Sequence, residues 1–354
     1  MKFVHIADVH LGLTQTIESE EKIERKTAIW ETLNQVFSYV KQQKADFLFI
    51  PGDLFHRQPL LMELKDFNYL CEKVPETNVV FIAGNHDYLR PDSNYLKFEF
   101  AKNVFFFKKN TLESIYFPNL KTRVYGFSYW SREITEPLYD ELKPLQEDGI
   151  HILLSHGGDA KHIPISEKAL KGSRFDYIAL GHIHQGGQIV KNKAVMAGSL
   201  LPTDINDIGS HGFWSGEITK ESSALSFHPI KRFEYRRKEI EVTAQMSPLM
   251  IKELVMEQLA QRESYQLSKI FLKGKKNPLI DFIEVYNEIN KLPGVISVED
   301  NLVLDYDLPV LQEAYKDQLL GKYIQAFLEL PQNTYTRYAL LEGVDAIFQS
   351  MEHK

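Results

Sequence analysis

The chain has 354 residues, 44% hydrophobic and 25% charged, with a formal net charge of -7. That length allows about two or three domains with a well-buried core, and the acidic balance excludes a globally basic nucleic-acid binder, so any contact with DNA must come from local patches or bound metal. The lone Cys71 excludes an intrachain disulfide framework and fits a reducing compartment; with no leader pattern and no run of about 18 apolar residues, a cytoplasmic protein without a membrane span is expected.

A short apolar run, Phe3 to Ala7, breaks at Asp8 and His10, whose spacing puts both side chains on one face of a strand end. Over 18–44, Ile23, Thr27, Trp30, Leu33, Val36, Phe37 and Val40 form a helical stripe. A strand at 47–50 leads into Gly52-Asp53-Leu54-Phe55-His56, a helix follows near 60–73, and a strand at 79–83 leads into Gly84-Asn85-His86-Asp87. This alternation predicts parallel strands buried between helical layers. Beyond Asn94, short β-rich segments at 103–107, 114–117 and 123–127 are candidates for antiparallel pairing, so a mixed sheet is expected. A strand at 151–155 ends in Ser155-His156-Gly157-Gly158, an irregular segment spans 160–172, and a strand at 176–180 ends in Gly181-His182-Ile183-His184. Further strands are expected at 188–197, 212–219 and 224–229.

Charge clusters at Lys231, Arg232, Arg236, Arg237 and Lys238, where the polar strand-end motifs stop, and a domain boundary is expected there. A strand from Glu239, helices at 248–262 and 279–292, and strands at 267–272, 295–298 and 302–306 then describe a small α+β unit. At the end, Leu311, Tyr315, Leu319, Tyr323 and Phe327 mark one amphipathic helix, and Leu341, Val344, Phe348 and Met351 a second after Pro331. Their apolar faces either pack on their own chain or dock a partner.

Each of the five polar clusters follows a strand candidate, on the edge where open α/β sheets bind ligands. Asp8, His10, Asp53, Asn85, His156, His182 and His184 supply carboxylate and amide oxygens and imidazole nitrogens, a donor set for Mn, Fe or Zn. They are too many for one ion with an open position, whereas two ions sharing Asp53 would use them naturally. Such a pair suits phosphoester hydrolysis.

The order Asp-x-His, Gly-Asp, Gly-Asn-His-Asp, His-Gly, Gly-His-x-His resembles the calcineurin-like metallophosphoesterases over residues 1 to 220. The resemblance implies an α/β fold, a four-layer α/β/β/α sandwich. One metal would be held by Asp8, His10, Asp53 and His184, the other by Asp53, Asn85, His156 and His182. His86 matches the family's general acid, with Asp87 expected to orient it. Asp-Val-His-Leu-Gly, Gly-Asp-Leu-Phe-His, Tyr177-Ile-Ala-Leu-Gly-His-Ile-His-Gln185 and Ala197-Gly-Ser-Leu-Leu-Pro-Thr203 look like the SbcD-type (Mre-type) DNA repair exonucleases. That narrower resemblance implies a nuclease domain over 1–232, a DNA-capping α+β domain over 233–307 and C-terminal helices over 308–354.

It also implies a role for His56 in exonuclease action, Mn2+ as the metal, a homodimer and an SbcC-type coiled-coil ATPase partner, in a nucleoid-associated setting. DNA contacts would fall to Arg90, to Lys231, Arg232, Arg236, Arg237 and Lys238, or to Lys273, Lys275 and Lys276; the alternative for 231–238 is a solvated edge strand. The expected function is a metal-dependent DNA exo/endonuclease subunit. The alternatives are a small-nucleotide phosphodiesterase and a DNA-end scaffold for the ATPase with weak nuclease activity.

Overall fold

Ile152 and Leu154 point into one apolar cluster, while Leu153 between them points into another. This period of two sets two sheets face to face in a computed structural model that describes residues 1–14, 16–17, 23–278 and 280–352. The chain divides into the units Met1–Tyr235 and Arg236–Lys354.

In chain order the first unit holds β1 (Lys2–His5), β2 (Thr16–Ile17), β3 (Ile23–Glu24), α1 (Arg25–Gln43), β4 (Phe47–Pro51), α2 (Leu61–Glu72), β5 (Asn78–Ile82), α3 (Asn94–Lys97) and β6 (Val104–Phe106). It continues through β7 (Glu113–Phe117), β8 (Thr122–Gly126), β9 (Ile150–His156), α4 (Glu167–Gly172), β10 (Tyr177–Gly181), β11 (Gly187–Val190), β12 (Ala194–Met196), β13 (Gly212–Ile218) and β14 (Ser223–Pro229). One six-stranded sheet runs β14-β13-β1-β4-β5-β6 and the other β11-β12-β10-β9-β8-β7. Strands β1, β4, β5 and β6 are mutually parallel, as are β8, β9, β10 and β12; the antiparallel members lie at the margins. Both sheets are therefore mixed, as expected.

Phe3, Phe49, Ile82, Val124, Ile152, Leu154, Tyr177 and Val195 fill the space between the sheets. Outside the first sheet, α1 and α2 bury their apolar stripes, with Phe67 standing between Phe37 and Phe81 at ring-centroid distances of 6.3 and 5.9 Å. Outside the second, Leu170 of α4 packs with Leu153, Ile178 and Leu180. This is the four-layer α/β/β/α sandwich. Each fully buried side chain contributes roughly 1.5–3 kcal/mol, so the paired sheets form a rigid base for the loops at their rims.

The second unit takes in most of β15 (Glu234–Val242), then α5 (Pro248–Leu259), β16 (Gln266–Lys276), α6 (Phe282–Asn290), β17 (Val295–Leu304), α7 (Leu308–Ala314), α8 (Leu319–Leu328) and α9 (Thr334–Glu352). Its three-stranded sheet, ordered β15-β16-β17, carries α5 and α6 on a core of Ile240, Ile251, Val255, Ile270, Leu272 and Ile289.

Several expected boundaries move. The helix expected over 18–44 starts at Arg25, with Ile23 in β3, and its expected start at 18–22 lies outside the described residues, as does Leu279. Of the three segments expected to pair antiparallel, β7 and β8 do so, whereas β6 adds parallel to β5. The strand expected over 188–197 is a hairpin. Its turn closes with Lys193 N donating to Val190 O at 3.0 Å, and Asn192 takes φ 56°, a left-handed conformation that Asn tolerates. The segments at 295–298 and 302–306 join in β17, paired along β16, with the polar residues between them exposed. The first C-terminal stripe spans two helices, because the chain turns at Tyr315; Gly321 there approaches the Tyr315 carbonyl too closely for any Cβ. Leu320, Ile324, Leu340 and Val344 form the core of this bundle, with Leu311, Tyr315, Tyr323, Phe327 and Phe348 against it, so the stripe packs largely on its own chain.

Candidate metal centre

The loops beyond β1, β4, β5, β9 and β10 meet at one rim. Asp8 (φ 49°), His10 (φ 51°), Asp53 (φ 50°) and His182 (φ 102°) all adopt left-handed backbone conformations without being glycine. Such conformations cost about 1–3 kcal/mol each and persist where surrounding structure over-determines them. Here a ladder does so: Asp8 N donates to Gly52 O, His10 N to Asp53 O and Leu11 N to Leu54 O, so the two loops run on side by side past their strands. Gly52, at φ 93°, and Gly84 leave no room for a Cβ beside His156 and Asp53, and the backbones close up around those side chains.

The inward-facing atoms are imidazole nitrogens, an amide oxygen and a carboxylate oxygen, crowded together. His10 Nε2 is 3.1 Å from His184 Nε2, and Asn85 Oδ1 is 2.8 Å from His156 Nε2 and 3.0 Å from His182 Nδ1. Asp53 Oδ2 lies 3.9 Å from His10 Nε2 and 3.5 Å from His156 Nε2, between the two groups. Ligand atoms about 2.1 Å from one cation lie about 3.0–3.4 Å from each other at octahedral or tetrahedral angles. The His10–His184 and Asn85–His182 spacings fall in that range, the Asn85–His156 spacing is shorter and the two Asp53 spacings are longer. Asp8, His10 and His184 form one candidate ligand cluster and Asp53, His156 and His182 another.

The outer nitrogens of the imidazoles fix which lone pairs point inward. His184 Nδ1 donates to Asp207 Oδ2 at 3.0 Å, His182 Nε2 to Asp159 Oδ2 at 2.8 Å and His156 Nδ1 to Pro51 O at 2.9 Å. When the ring is neutral, each bond leaves the opposite nitrogen bare toward the centre, the usual arrangement for a metal-ligating histidine. His156 is held further by Tyr129, whose hydroxyl donates to its carbonyl at 2.9 Å, and by Tyr139, whose hydroxyl accepts from its N–H at 3.0 Å. Asp159 and Asp207 were not anticipated. Asp159 had one signal, its place directly after His156-Gly157-Gly158; Asp207 had none.

The electrostatics describe a site built for cations. Burial works against charge on Asp53, but His156, with His10 and His86 nearby, holds its carboxyl well below the usual carboxylate range. Burial raises Asp8 to about 6. Burial also opposes charge on His156, yet Asp53 and then Asp8 carry its imidazole up to about 9. In that state a proton stands on the nitrogen that faces Asn85 and Asp53, where a cation would otherwise be shared.

His86 N donates to Asp53 Oδ1 at 2.9 Å, and its ring Nδ1 lies 3.2 Å from the His56 carbonyl, which leaves Nε2 unengaged by that contact. Among the described residues, Asp87, expected to orient His86, makes its hydrogen bonds elsewhere. Its buried carboxylate accepts instead from Gly84 N at 2.8 Å, Phe55 N at 3.2 Å and Tyr95 Oη at 2.8 Å, so it ties the Asn85 loop to the loop after β4. His56 Nδ1 sits 3.3 Å from His10 Nδ1, at the edge of the cluster. Asn85, His86, His182 and His184 line a cavity of about 680 Å³ whose walls include Arg132 and Lys161. Of the expected DNA-contact residues in the first unit, Arg90, Lys231 and Arg232 are not part of that lining. Arg90 is exposed and pairs with Asp92, Arg232 pairs with Glu31, and Arg236, Arg237 and Lys238 lie in the second unit.

Residues 1–186 match the model of the calcineurin-like phosphoesterase family. The chain is similar to the uncharacterized metallophosphoesterase YhaO of Bacillus subtilis, 26% identical over 265 residues that cover 69% of this chain and 64% of that protein. It is also similar to the DNA double-strand break repair protein Mre11 of Methanococcus maripaludis, 27% identical over 65% of this chain and 66% of that one. The protein of the same name from Methanocaldococcus jannaschii is 28% identical over 52% of each. The chain thus spans two thirds or less of the length of these relatives. A dimetal phosphatase structure from Danio rerio is similar at a TM-score of 0.42 and 12% identity, covering 64% of this chain and 95% of that one. With more than half of its length matching the family model, and with the candidate strand-end donors gathered at one rim, the chain belongs to the calcineurin-like phosphoesterase family.

Proposed function

We propose that the protein is a metal-dependent phosphoesterase that acts as a DNA exo/endonuclease subunit of the SbcD type, hydrolysing phosphodiester bonds at DNA ends in repair or recombination. The observation that carries this reading is the buried position of Asp53 between His10 and His156, beneath an open cavity lined by Asn85, His182 and His184. Asp8, His10, Asp53 and His184 would hold one divalent ion and Asp53, Asn85, His156 and His182 the other, with Mn2+ the favoured metal for this mixed oxygen and nitrogen set. The ions would supply charge for the phosphoryl oxygens and acidity for the attacking water. His86 is the proton donor: as an imidazolium it keeps its Nδ1–H on the His56 carbonyl and delivers its Nε2 proton to the leaving oxygen. His56, against His10, shapes how DNA enters.

The likeness to proteins named for double-strand break repair supports a DNA substrate. The exposed Leu319, Tyr335 and Tyr338 on the C-terminal helices support docking of an SbcC-type ATPase there, in a homodimeric assembly. Linear duplex DNA and a cyclic nucleotide, each supplied with Mn2+, test the reading. Cleavage of DNA that is lost in Asp53→Ala is expected; cleavage of the cyclic nucleotide alone would reassign the protein to small nucleotides.

A further inference from the structure

Arg25 is the first residue of α1, and its side chain is fully buried. Both facts run against local preference. A cation at a helix N-terminus opposes the helix dipole, and a buried charge is costly unless paired. Among the described residues, carbonyls hold the guanidinium: Nε donates to Pro202 O at 2.9 Å, Nη1 to His10 O at 3.3 Å and Nη2 to Val9 O at 3.5 Å. Those carbonyls belong to two loops. Val9 and His10 lie in the loop after β1 that carries Asp8 and His10; Pro202 lies beside Thr203, which with Asp207 holds His184 Nδ1. A site that breaks local rules this consistently is expected where function constrains the chain.

We infer that Arg25 is a positioning residue for one of the two ion sites, its three-pronged guanidinium locking the His10 loop to the loop that orients His184. The inference rests on the ligand assignment above. Three donors pointing to three carbonyls require the planar fork of arginine; a lysine ammonium at the same depth is a single point that cannot span both loops. Charge and position act in opposite directions here. A guanidinium near the centre repels bound cations, so if charge were its only effect, removing it would tighten metal binding. If it fixes the spacing of His10 and His184, removing it weakens binding.

The test titrates Mn2+ alone into the metal-free full chain by calorimetry, comparing wild type with Arg25→Lys, which keeps the charge and loses the fork, and Arg25→Gln, which loses the charge and keeps a planar donor. Circular dichroism melts of the metal-free proteins identify which variants are folded, and Arg25→Lys decides alone if Arg25→Gln is not. The expected result is a drop of about 10–100-fold in affinity for one ion, the range for residues that orient a ligand, together with an altered Mn2+ electron paramagnetic resonance spectrum. Unchanged affinity in Arg25→Lys, or tighter binding in Arg25→Gln, overturns the inference. Asp53→Ala, run alongside, separates the two levels: if it binds Mn2+ like wild type, the ligand assignment has failed rather than the role of Arg25.

Discussion

His10 and His184 face each other Nε2 to Nε2 at 3.1 Å, although they are far apart in sequence and come from different sheets. With His184 Nδ1 donating to Asp207, its Nε2 offers a lone pair, which at this spacing can accept from His10 Nε2–H or, with both rings bare on that side, join His10 in holding one cation. His184→Ala should therefore bind one Mn2+ fewer than wild type and keep the other. Asp53→Ala, which takes a carboxylate from between both groups, should lose both. Elemental analysis of protein equilibrated with Mn2+ and passed through a desalting column reads the difference; equal losses in the two variants would contradict the shared position of Asp53.

Asp207 accepts from His184 Nδ1, from Thr203 N at 2.8 Å and from Thr203 Oγ1 at 2.6 Å. Asp207→Asn keeps the shape and removes the charge that sets the His184 tautomer. We expect metal affinity to fall about 10–100-fold with little change in the melting temperature of the metal-free protein. A wild-type affinity would show that His184 needs no such partner.

The strand-end clusters were legible in the sequence because each of them interrupts an apolar run, and such interruptions mark where a strand leaves the core. The partners behind them were not. Asp159, Asp207 and Arg25 act through hydrogen bonds whose other halves lie in distant loops, and no spacing rule connects Arg25 to Pro202. Asp87 shows the same limit in reverse: adjacency to His86 suggested a pair, but burial turned its carboxylate toward Gly84, Phe55 and Tyr95. The hairpin at β11–β12 was hidden because its turn, Lys191-Asn192-Lys193, carries no Gly or Pro.

Metal binding should also release protons. Asp53 and Asp8 carry the His156 imidazole up to about 9 against its burial, and burial raises Asp8 to about 6, so at neutral pH one nitrogen that must face the metal carries a proton. Ligands bind metal only when deprotonated. The sign follows directly: Mn2+ affinity rises with pH between about 6 and 9, steeply at first as both groups lose protons and then through His156 alone. Calorimetry in two buffers of different ionisation enthalpy counts the protons released. Binding with no proton release at neutral pH would show that His156 is already neutral in the metal-free protein.

The basic groups of the second unit are largely neutralised by neighbours, and this yields a sharper test of DNA binding than their number does. Glu239 accepts from Arg237 Nε at 3.1 Å and from Lys273 Nζ at 2.9 Å, Lys275 pairs with Asp305 at 2.7 Å, and Lys276 pairs with Asp300 at 2.7 Å. Exposed pairs of this kind contribute only about 0–1 kcal/mol, so phosphate can displace the carboxylates, but each displaced carboxylate remains nearby and repels DNA. Glu239→Gln removes that competitor and frees two cations at once. If the face formed by β15 and β16 grips the DNA backbone, the variant should bind duplex DNA more tightly. The slope of log affinity against log salt should then steepen by up to about 0.9 for each additional phosphate neutralised. Arg237→Gln, on the same face as Glu239, should move it the opposite way. Slopes equal to wild type in both variants would place DNA binding elsewhere and return the basic run at 231–238 to the solvated edge strand that its composition equally allowed.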